Sequence, residues 1–300
     1  MSTRDRRLLD PLTGGRIDRE TVEGYLFAAP YLIVFTVFLL APLLVGLYMS
    51  LFEWSFLNPA QSEFVGLQNY QTILEDSRFH RALWQTFYFV FLTVPAMTAL
   101  ALVMALGINK GLKGSRFLQF TYFVPYVMTV SIVGLLWIRV YGANGLFTRY
   151  TEFLIGRALD STLFAMPALA LTTIWWQIGF FFAILLAARQ GVSDSLYEAA
   201  KLDGASSLRM TWDITIPQMK NSLMFCIVAG TILQFQVFGQ PFVMTNGGPA
   251  GNTETVVFYL YELGFESFDL GYGAAVGYIL LMILVVVSLA NYYVIEGTVE

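Results

Sequence analysis

Residues 198–217 read EAAKLDGASSLRMTWDITIP, a polar, glycine-containing stretch that lies between two strongly apolar segments. Ser195 precedes Glu198 by three positions, which predicts a capping box with Ser195 as the N-cap residue. Gly204 is placed to end this helix in a left-handed conformation. The predicted helix, residues 196–203, has about two turns, which is too short for stability alone in water. It therefore either docks on another surface or merely links its neighbours, and the residue types alone leave both readings open.

The rest of the chain is strongly apolar. Of its 300 residues, 57% are hydrophobic and 13% are charged, whereas about a quarter are charged in an ordinary soluble domain. Strand-like alternation is absent, so helices are the expected spanning element. The fold class predicted is therefore all-α integral membrane, with six transmembrane helices. Each helix corresponds to an uncharged run longer than the roughly 20 residues that a bilayer requires, and these runs cover residues 25–52, 82–109, 117–138, 161–188, 221–253 and 270–295.

The distribution of basic residues predicts the orientation, because Lys and Arg favour the cytoplasmic side. Twelve lie in the N-terminal tail and in the second and fourth gaps between runs, and five lie in the other gaps. Both termini and the stretch 198–217 are therefore expected in the cytoplasm of a multi-pass protein of the inner or plasma membrane. The expected organisation is a cytoplasmic tail over 1–24, a transmembrane domain over 25–296 with a cytoplasmic loop over 190–220, and a cytoplasmic C-terminus over 297–300.

The inventory of reactive side chains argues against several function classes. The chain has one cysteine, Cys226, and one histidine, His80, which leaves little material for a metal site or a thiol nucleophile. No uncharged run contains the ionisable group that an ion-coupled carrier usually needs, or the nucleophile–base pair of a membrane-embedded enzyme. The arginines of the tail alternate with carboxylates, so nucleic acid is not an expected partner. A path lined by amides, hydroxyls and aromatic rings suits a neutral, hydrogen-bonding solute.

The order of residues in the opening stretch resembles the EAA loop of inner-membrane permeases of binding-protein-dependent ABC importers. E-A-A and D-G-A are followed at the family's spacing by Ile214 and by Ile216-Pro217, although Trp212 stands where phenylalanine is usual. The resemblance implies a type I importer permease fold in which loop 190–220 carries a coupling helix. That helix would dock on a cytoplasmic ATPase subunit through the conserved motif positions, which here are Glu198, Ala199, Ala200, Asp203, Gly204 and Ala205.

Two further stretches resemble the carbohydrate-type, maltose-permease-like members of this family. They are FVGLQNY at 64–70 and TNGGP at 245–249. The resemblance implies a sugar as solute, and as partners a second permease subunit, two ATPase subunits, an external solute-binding protein and membrane lipid. The chain lacks a phosphate-cradling G-x-x-x-x-G-K-[ST] sequence, so no cofactor is expected on it, and ATP and Mg²⁺ would bind to the ATPase subunits. A polyol or glycerol-phosphate solute remains an alternative, although an anion normally calls for Arg or Lys in the path.

The fourth and fifth runs contain the groups that hold sugars, which are planar amides and aromatic rings. Gly230, Leu233, Gln234 and Val237 recur at helical spacing, as do Gln177 and Phe180. These positions match the sugar-contacting faces of the maltose-permease family. Gln234 is therefore predicted as the main hydrogen-bonding residue, Phe180 as the stacking wall and Gly230 as the space for the ring. Hydrogen bonding between helices is the alternative role of the two amides.

Residues 245–270 contain no basic residue and four acidic ones, Glu254, Glu262, Glu266 and Asp269. This segment precedes the last uncharged run, so the predicted topology places it outside the cell. It is expected to form part of the surface that faces the binding protein.

Overall fold

The computed structural model describes residues 19–55, 61–108, 114–142, 145 and 158–297. The chain divides into two compact units, residues 1–49 and 50–300. In the first unit, α1 (Arg19–Phe35) continues through a π-helical turn (Thr36–Leu40) into α2 (Ala41–Met49). The large apolar side chains between Tyr25 and Tyr48 are exposed, as expected of a helix whose surroundings are hydrocarbon or other apolar helices.

The second unit begins with a short hairpin and continues as helices. Strands β1 (Phe52–Glu53) and β2 (Glu63–Phe64) pair antiparallel, with Phe52 opposite Phe64. The helices are α3 (Gln68–Glu75), α4 (Ser77–Gly107), α5 (Ser115–Val127), α6 (Val130–Tyr141), α7 (Ala165–Gln190), α8 (Asp194–Leu202), α9 (Ser207–Met210), α10 (Ile216–Gln218), α11 (Lys220–Phe235), α12 (Val256–Tyr261) and α13 (Leu270–Gly297). A 3₁₀ turn lies at Ala158–Asp160, and π-helical turns lie at Thr211–Thr215, Pro241–Thr245 and Glu262–Glu266.

Four helical segments are long and apolar enough to cross a membrane: Glu23–Met49, Ser77–Gly107, Ala165–Gln190 and Leu270–Asn291. Two further pairs qualify only when both members are combined. Ser115–Val127 with Val130–Tyr141 is bent by 100°, and Ser207–Gln218 with Lys220–Phe235 is bent by 67°. The count of six spans therefore depends on each bent pair crossing once, and it stays a prediction.

Helix α7 is the central helix of the second unit, since it packs against α4, α5 and α11. Its contact with α5 is a close approach of backbones at Gly179. A Cβ atom on Gly179 would lie 2.2 Å from the carbonyl oxygen of Tyr122. Only glycine permits this approach. Beside it, the buried Phe181, Phe182 and Leu185 fill the core between α7 and its neighbours.

Hydroxyl groups inside the bundle are hydrogen-bonded within their own helices. Thr86 and Thr93 on α4, and Thr172 and Thr173 on α7, each donate to the carbonyl four residues earlier, at 2.8–2.9 Å. An unpaired hydroxyl would be costly in this apolar interior, and back-bonding removes that cost. Thr86 also accepts a hydrogen bond of 3.0 Å from the backbone N–H of Val256. This second bond ties the start of α12 to α4.

The bend between α5 and α6 lies against α7. Met128 and Thr129 are extended and separate the two helices. The carbonyl of Met128 accepts a hydrogen bond of 3.0 Å from the indole N–H of Trp176 on α7. Tyr126, in the last turn of α5, stacks on Phe180 with ring centroids 5.1 Å apart and planes 21° apart. A break that would leave backbone unsatisfied in lipid is thus stabilised by a neighbouring helix.

Two glycines let the chain after α11 pack closely on α6. A Cβ atom on Gly239 would lie 2.6 Å from a methyl carbon of Val130. On the facing side, a Cβ atom on Gly134 would lie 2.7 Å from a methyl carbon of Val243. The π-helical turn Pro241–Thr245 therefore lies directly on α6.

The close approach at Gly179 predicts a specific sensitivity. Gly179→Ala is expected to destabilise the fold by about 1–3 kcal/mol, because the added methyl meets backbone atoms that cannot rotate away. The measurement is the midpoint of thermal unfolding of the purified protein in detergent. Gly107→Ala is the matched control, since a Cβ atom there meets nothing within 4 Å. Equal midpoints for the two variants would contradict the packing role of Gly179.

Candidate functional site

Helix α8 occupies the predicted position of the coupling helix, but it begins earlier than the capping box predicts. It starts at Asp194, with Ser193 at the N-cap position and no side-chain capping bond. The hydroxyls of Ser193 and Ser195 instead bond to each other at 2.8 Å. The prediction of Ser195 as N-cap, with the helix over 196–203, is therefore wrong. Asp194 in the first turn is favourable at this positive end of the helix.

The C-terminal end of α8 follows the prediction for Gly204, which has φ +75°. The N–H of Gly204 donates to the carbonyl of Lys201 at 3.1 Å, and the N–H of Ala205 donates to that of Ala200 at 2.9 Å. These two bonds form a Schellman motif, in which a left-handed residue satisfies the last carbonyls of a helix. The predicted left-handed end at Gly204 is confirmed.

One side of α8 is anchored and the other side is open. The Tyr197 hydroxyl bonds at 2.8 Å to the hydroxyl of the buried Thr215, and Tyr197 packs on the core between α4 and α7. Glu198, Ala199 and Asp203 are exposed, whereas Ala200 and Ala205 are half-buried. A cleft of about 570 Å³ lies between α8 and the segment 207–215. Three of the six motif residues, Glu198, Ala199 and Ala200, thus lie on a helix that the bundle holds from one side, and the other three form its C-terminal cap.

Large apolar side chains are exposed on α8 and on the segment that follows it. Leu202 is 89% exposed, and Leu208 and Trp212 are also exposed. Leu208 and Trp212 are four positions apart on the continuous helical stretch that includes Ser207–Met210 and Thr211–Thr215. Large exposed apolar groups close together indicate an interaction surface.

The structure brings together the two glutamines predicted to contact the solute. The Gln234 amide donates a hydrogen bond of 2.6 Å to the side-chain oxygen of Gln177, and Gln234 is only 1% exposed. Phe180, one turn further along α7, is half-buried and stacks on Tyr126. Amide and ring thus belong to one cluster where α7 meets α5 and α11.

Three other predicted residues have different surroundings. A Cβ atom on Gly230 would lie 3.4 Å from Phe181 and 3.5 Å from Val94, so this glycine faces packed side chains. Leu233 is 48% exposed, whereas Gly230 and Gln234 on the same helix are buried. Val237 is buried and lies beyond the end of α11. The prediction of a single helical face from 230 to 237 is therefore wrong, because the helix ends at Phe235 and the chain turns at Gln236.

A second polar contact, between α7 and the chain that follows α11, was not predicted. Gln240 donates a hydrogen bond of 3.0 Å to the hydroxyl of Thr173, and both residues are buried. Thr173 and Gln177 are four positions apart on α7, so they lie on one face. That spacing is the only sequence signal that points to the contact. Because α11 ends at Phe235, helical spacing does not predict that Gln234 and Gln240 both contact α7.

A charged cluster lies at the N-terminal end of α4. Arg78 donates to Glu254 at 2.7 Å and also pairs with Glu262. Asp76 accepts hydrogen bonds from the hydroxyls of Tyr259 at 2.6 Å and Tyr272 at 2.7 Å. Of the four acidic residues predicted to form a docking surface, Glu254 is buried in this cluster, whereas Glu266 and Asp269 are exposed.

Burial and hydrogen bonding set the protonation of these carboxylates. Desolvation raises the pKa of Glu254 above its ordinary value, and the neighbouring Arg78 opposes that rise without cancelling it. Burial also acts to raise the pKa of Asp76. The hydrogen bonds donated by Tyr259 and Tyr272, together with those from the backbone N–H groups of Arg78 and Phe79, outweigh that effect, and the pKa of Asp76 is lowered. Asp76 therefore acts as a charged acceptor that ties α4 to α12 and α13.

Comparison with known proteins identifies the family. No family model matches the chain. The arabinooligosaccharides transport system permease protein AraP of Bacillus subtilis strain 168 is 31% identical over 277 residues, which cover 89% of this chain and 86% of AraP. The sn-glycerol-3-phosphate transport system permease protein UgpA of Escherichia coli strain 536 is 31% identical over 287 residues, which cover 92% of this chain and 95% of UgpA. The chain belongs to the family of ABC transporter permeases.

The permease also has the fold of a solved ABC transporter. A subunit of a bacterial transporter involved in the import of the acidic polysaccharide alginate matches it with a TM-score of 0.76 at 20% identity. The match covers 95% of this permease and 100% of that subunit. The predicted family and the helical importer-permease fold are confirmed. The roles of the motif residues on α8 and of the Gln177–Gln234 pair in this permease stay predictions.

The left-handed residue at the end of α8 gives a test of the coupling role. Gly204→Val is expected to reduce ATP-driven transport by the assembled complex about fivefold or more, because valine at positive φ is strained by about 1–3 kcal/mol. A Cβ atom on Gly204 meets nothing within 4 Å, so the effect would come from the backbone alone. Gly204→Asn is the control, since asparagine tolerates this conformation. An assembled Gly204→Val complex that transports at the wild-type rate would show that the coupling assignment is wrong.

Proposed function

We propose that this permease forms, with a second permease subunit, the path by which a sugar crosses the membrane. An external solute-binding protein would deliver the sugar, and two ATPase subunits, which bind ATP and Mg²⁺, would drive the cycle. The observation that carries this proposal is the Gln177–Gln234 amide pair, held between α7 and α11 with the Tyr126–Phe180 ring pair one turn away.

The chemistry of the amide pair suits a neutral hydroxylated solute. Each amide carries donors and acceptors, and so does each sugar hydroxyl, so a sugar can replace the bond between the two glutamines without leaving either amide unpaired. The aromatic rings nearby can receive the apolar face of a sugar ring. The name of AraP specifies arabinooligosaccharides, which agrees with this solute class.

Glycerol phosphate is the second candidate solute, because UgpA is as similar to this permease as AraP is. A phosphate group is normally held by guanidinium or ammonium groups. None of the six uncharged runs contains such a group. The second permease would have to supply it, so a sugar is the better-supported solute.

The open side of α8 fits docking on an ATPase subunit. Glu198 and Ala199 present a small exposed surface, and the exposed Leu202, Leu208 and Trp212 add apolar area beside it. Movement of the docked ATPase subunits would be transmitted through the anchored Tyr197 to the helices of the path. The cycle would alternate between outward-open and inward-open states, each favoured by a different partner.

We further propose that α8 and both termini lie in the cytoplasm and that residues 245–270 lie outside the cell, facing the binding protein. The bias of basic residues towards the tail and the loop at α8 supports this orientation.

The orientation predicts opposite reactivity for two engineered cysteines. In a Cys226→Ala background, a membrane-impermeant maleimide added to intact cells is expected to label Ser267→Cys and to leave Ser207→Cys unlabelled. Both positions are exposed, so the side of the membrane should decide the outcome. Excess loaded binding protein is expected to slow labelling of Ser267→Cys. Labelling of Ser207→Cys alone would reverse the proposed topology.

The solute role predicts the effect of removing one amide. In proteoliposomes, Gln234→Leu is expected to reduce sugar uptake about tenfold or more, because Gln177 then loses a buried partner and the sugar loses a hydrogen bond. Stimulation of ATPase activity by the loaded binding protein is expected to stay intact. Gln236→Leu is the control, since Gln236 is exposed outside the pair. Unchanged uptake with unchanged solute preference in Gln234→Leu would remove the amide pair from the path.

A further inference from the structure

Four aromatic rings form a continuous row beyond the end of α11. Phe238 stacks on Phe242, with centroids 5.0 Å apart and planes 26° apart. Tyr261 lies 5.1 Å from Phe238 and 5.2 Å from Phe242, and it stacks on Phe265 at 5.2 Å and 23°. This aromatic row begins four residues after Gln234 and ends in the turn Glu262–Glu266.

Exposure is highest at the Phe265 end of the aromatic row. Phe238 and Tyr261 are half-buried, Phe242 is 38% exposed and Phe265 is 68% exposed. The far end lies among charged groups, because Glu262 follows Tyr261 and pairs with Arg78, and the exposed Glu266 follows Phe265. An ion pair and a free carboxylate favour water over hydrocarbon. The exposed rings at this end are therefore apolar faces in an aqueous setting, where a ligand would be favourable.

The position of the row distinguishes it from scattered aromatic anchors at a membrane interface. Thr255 at the start of α12 donates a hydrogen bond of 2.8 Å to the carbonyl of Val237, which joins α12 to the chain just after Gln234. The segment that carries the row is thus tied directly to the segment that carries the amide pair. Two stacked pairs, Phe238–Phe242 and Tyr261–Phe265, are joined by edge and tilted contacts of Tyr261 with Phe242 and Phe238. Rings in contact between a charged surface and the segment of the buried amide can offer a sugar one apolar face after another.

We propose that the aromatic row is a sugar-binding relay, which receives carbohydrate rings at Phe265 and Tyr261 and leads them past Phe242 and Phe238 to the Gln177–Gln234 pair. This inference rests on the proposed function. It adds a solute site outside the amide cluster and restricts the solute to molecules with a ring face. Glycerol phosphate has no such face.

The test uses the complete transporter in proteoliposomes, with radiolabelled maltose, arabinotriose and glycerol 3-phosphate as probes. Tyr261→Leu and Phe242→Leu are each expected to lower the sugar transported per ATP hydrolysed about threefold to tenfold, because a stacking contact is lost while apolar volume remains. Tyr261→Phe keeps the ring and is therefore expected to transport more sugar per ATP than Tyr261→Leu. Phe91→Leu is the control, since Phe91 is an exposed aromatic residue of α4 outside the row.

A second measurement follows the row directly in the assembled complex. Phe265→Trp is expected to change its indole emission, relative to the wild-type complex, when sugar is delivered by the binding protein. Quenching by brominated lipid without any response to sugar would assign the row to the lipid interface and overturn the relay. Unchanged sugar per ATP in both leucine variants would also overturn it.

The leucine variants separate the relay from the proposed function. Sugar import by the wild-type complex, with unchanged sugar per ATP in both leucine variants, would overturn the relay and leave the proposed function intact. Import of glycerol 3-phosphate without either sugar would overturn both. A complex whose ATPase activity is not stimulated by any loaded binding protein, and which imports none of the probes, would overturn both.

Discussion

Inside hydrocarbon, a polar group has to find its hydrogen-bond partner within the protein, and the architecture of this permease depends on that requirement. Threonine hydroxyls bond to their own helices, and the carbonyl freed at Met128 is taken by Trp176. The amide of Gln234 is taken by Gln177 in the same way. Two of these partners lie on α7, which explains why the helix breaks gather around it. An unbroken, central helix supplies the partners that its irregular neighbours need.

Signals that act locally could be predicted from the sequence. Uncharged runs identify membrane helices because hydrocarbon excludes charged side chains, and this exclusion does not depend on how the helix packs in the bundle. The end of α8 could be predicted because Gly204 suits positive φ better than any other residue. Its start could not, because Ser193 and Ser195 satisfy each other and neither caps the backbone. Both serines are suitable N-cap residues, and only their three-dimensional surroundings decide which of them precedes the helix. The local sequence pattern carries no information about those surroundings.

Contacts that depend on where a helix ends could not be predicted from the sequence. Helical periodicity extended through Val237 because nothing in residues 230–237 marks the end of α11 at Phe235. The break displaces Val237 from the expected face and brings Gln240 to Thr173. The acidic stretch predicts Glu254 as a surface carboxylate, yet Glu254 is buried and pairs with the half-exposed Arg78, which is far away in sequence. Two amides of the site could be chosen from residue type, but their pairing required the packing of α7 on α11.

The Arg78 cluster has a consequence for how the chain is made. Its partners Glu254 and Glu262 follow it by 176 and 184 residues. At ribosomal rates of about 5–20 residues per second, Arg78 is synthesised roughly 10–35 seconds before the first of these two carboxylates. Until then, neither Glu254 nor Glu262 can pair with the guanidinium at the N-terminal end of α4. The ion pairs at the N-terminal end of α4 therefore form only after most of the last third of the chain has been synthesised, so the first third reaches its mature contacts late in biogenesis.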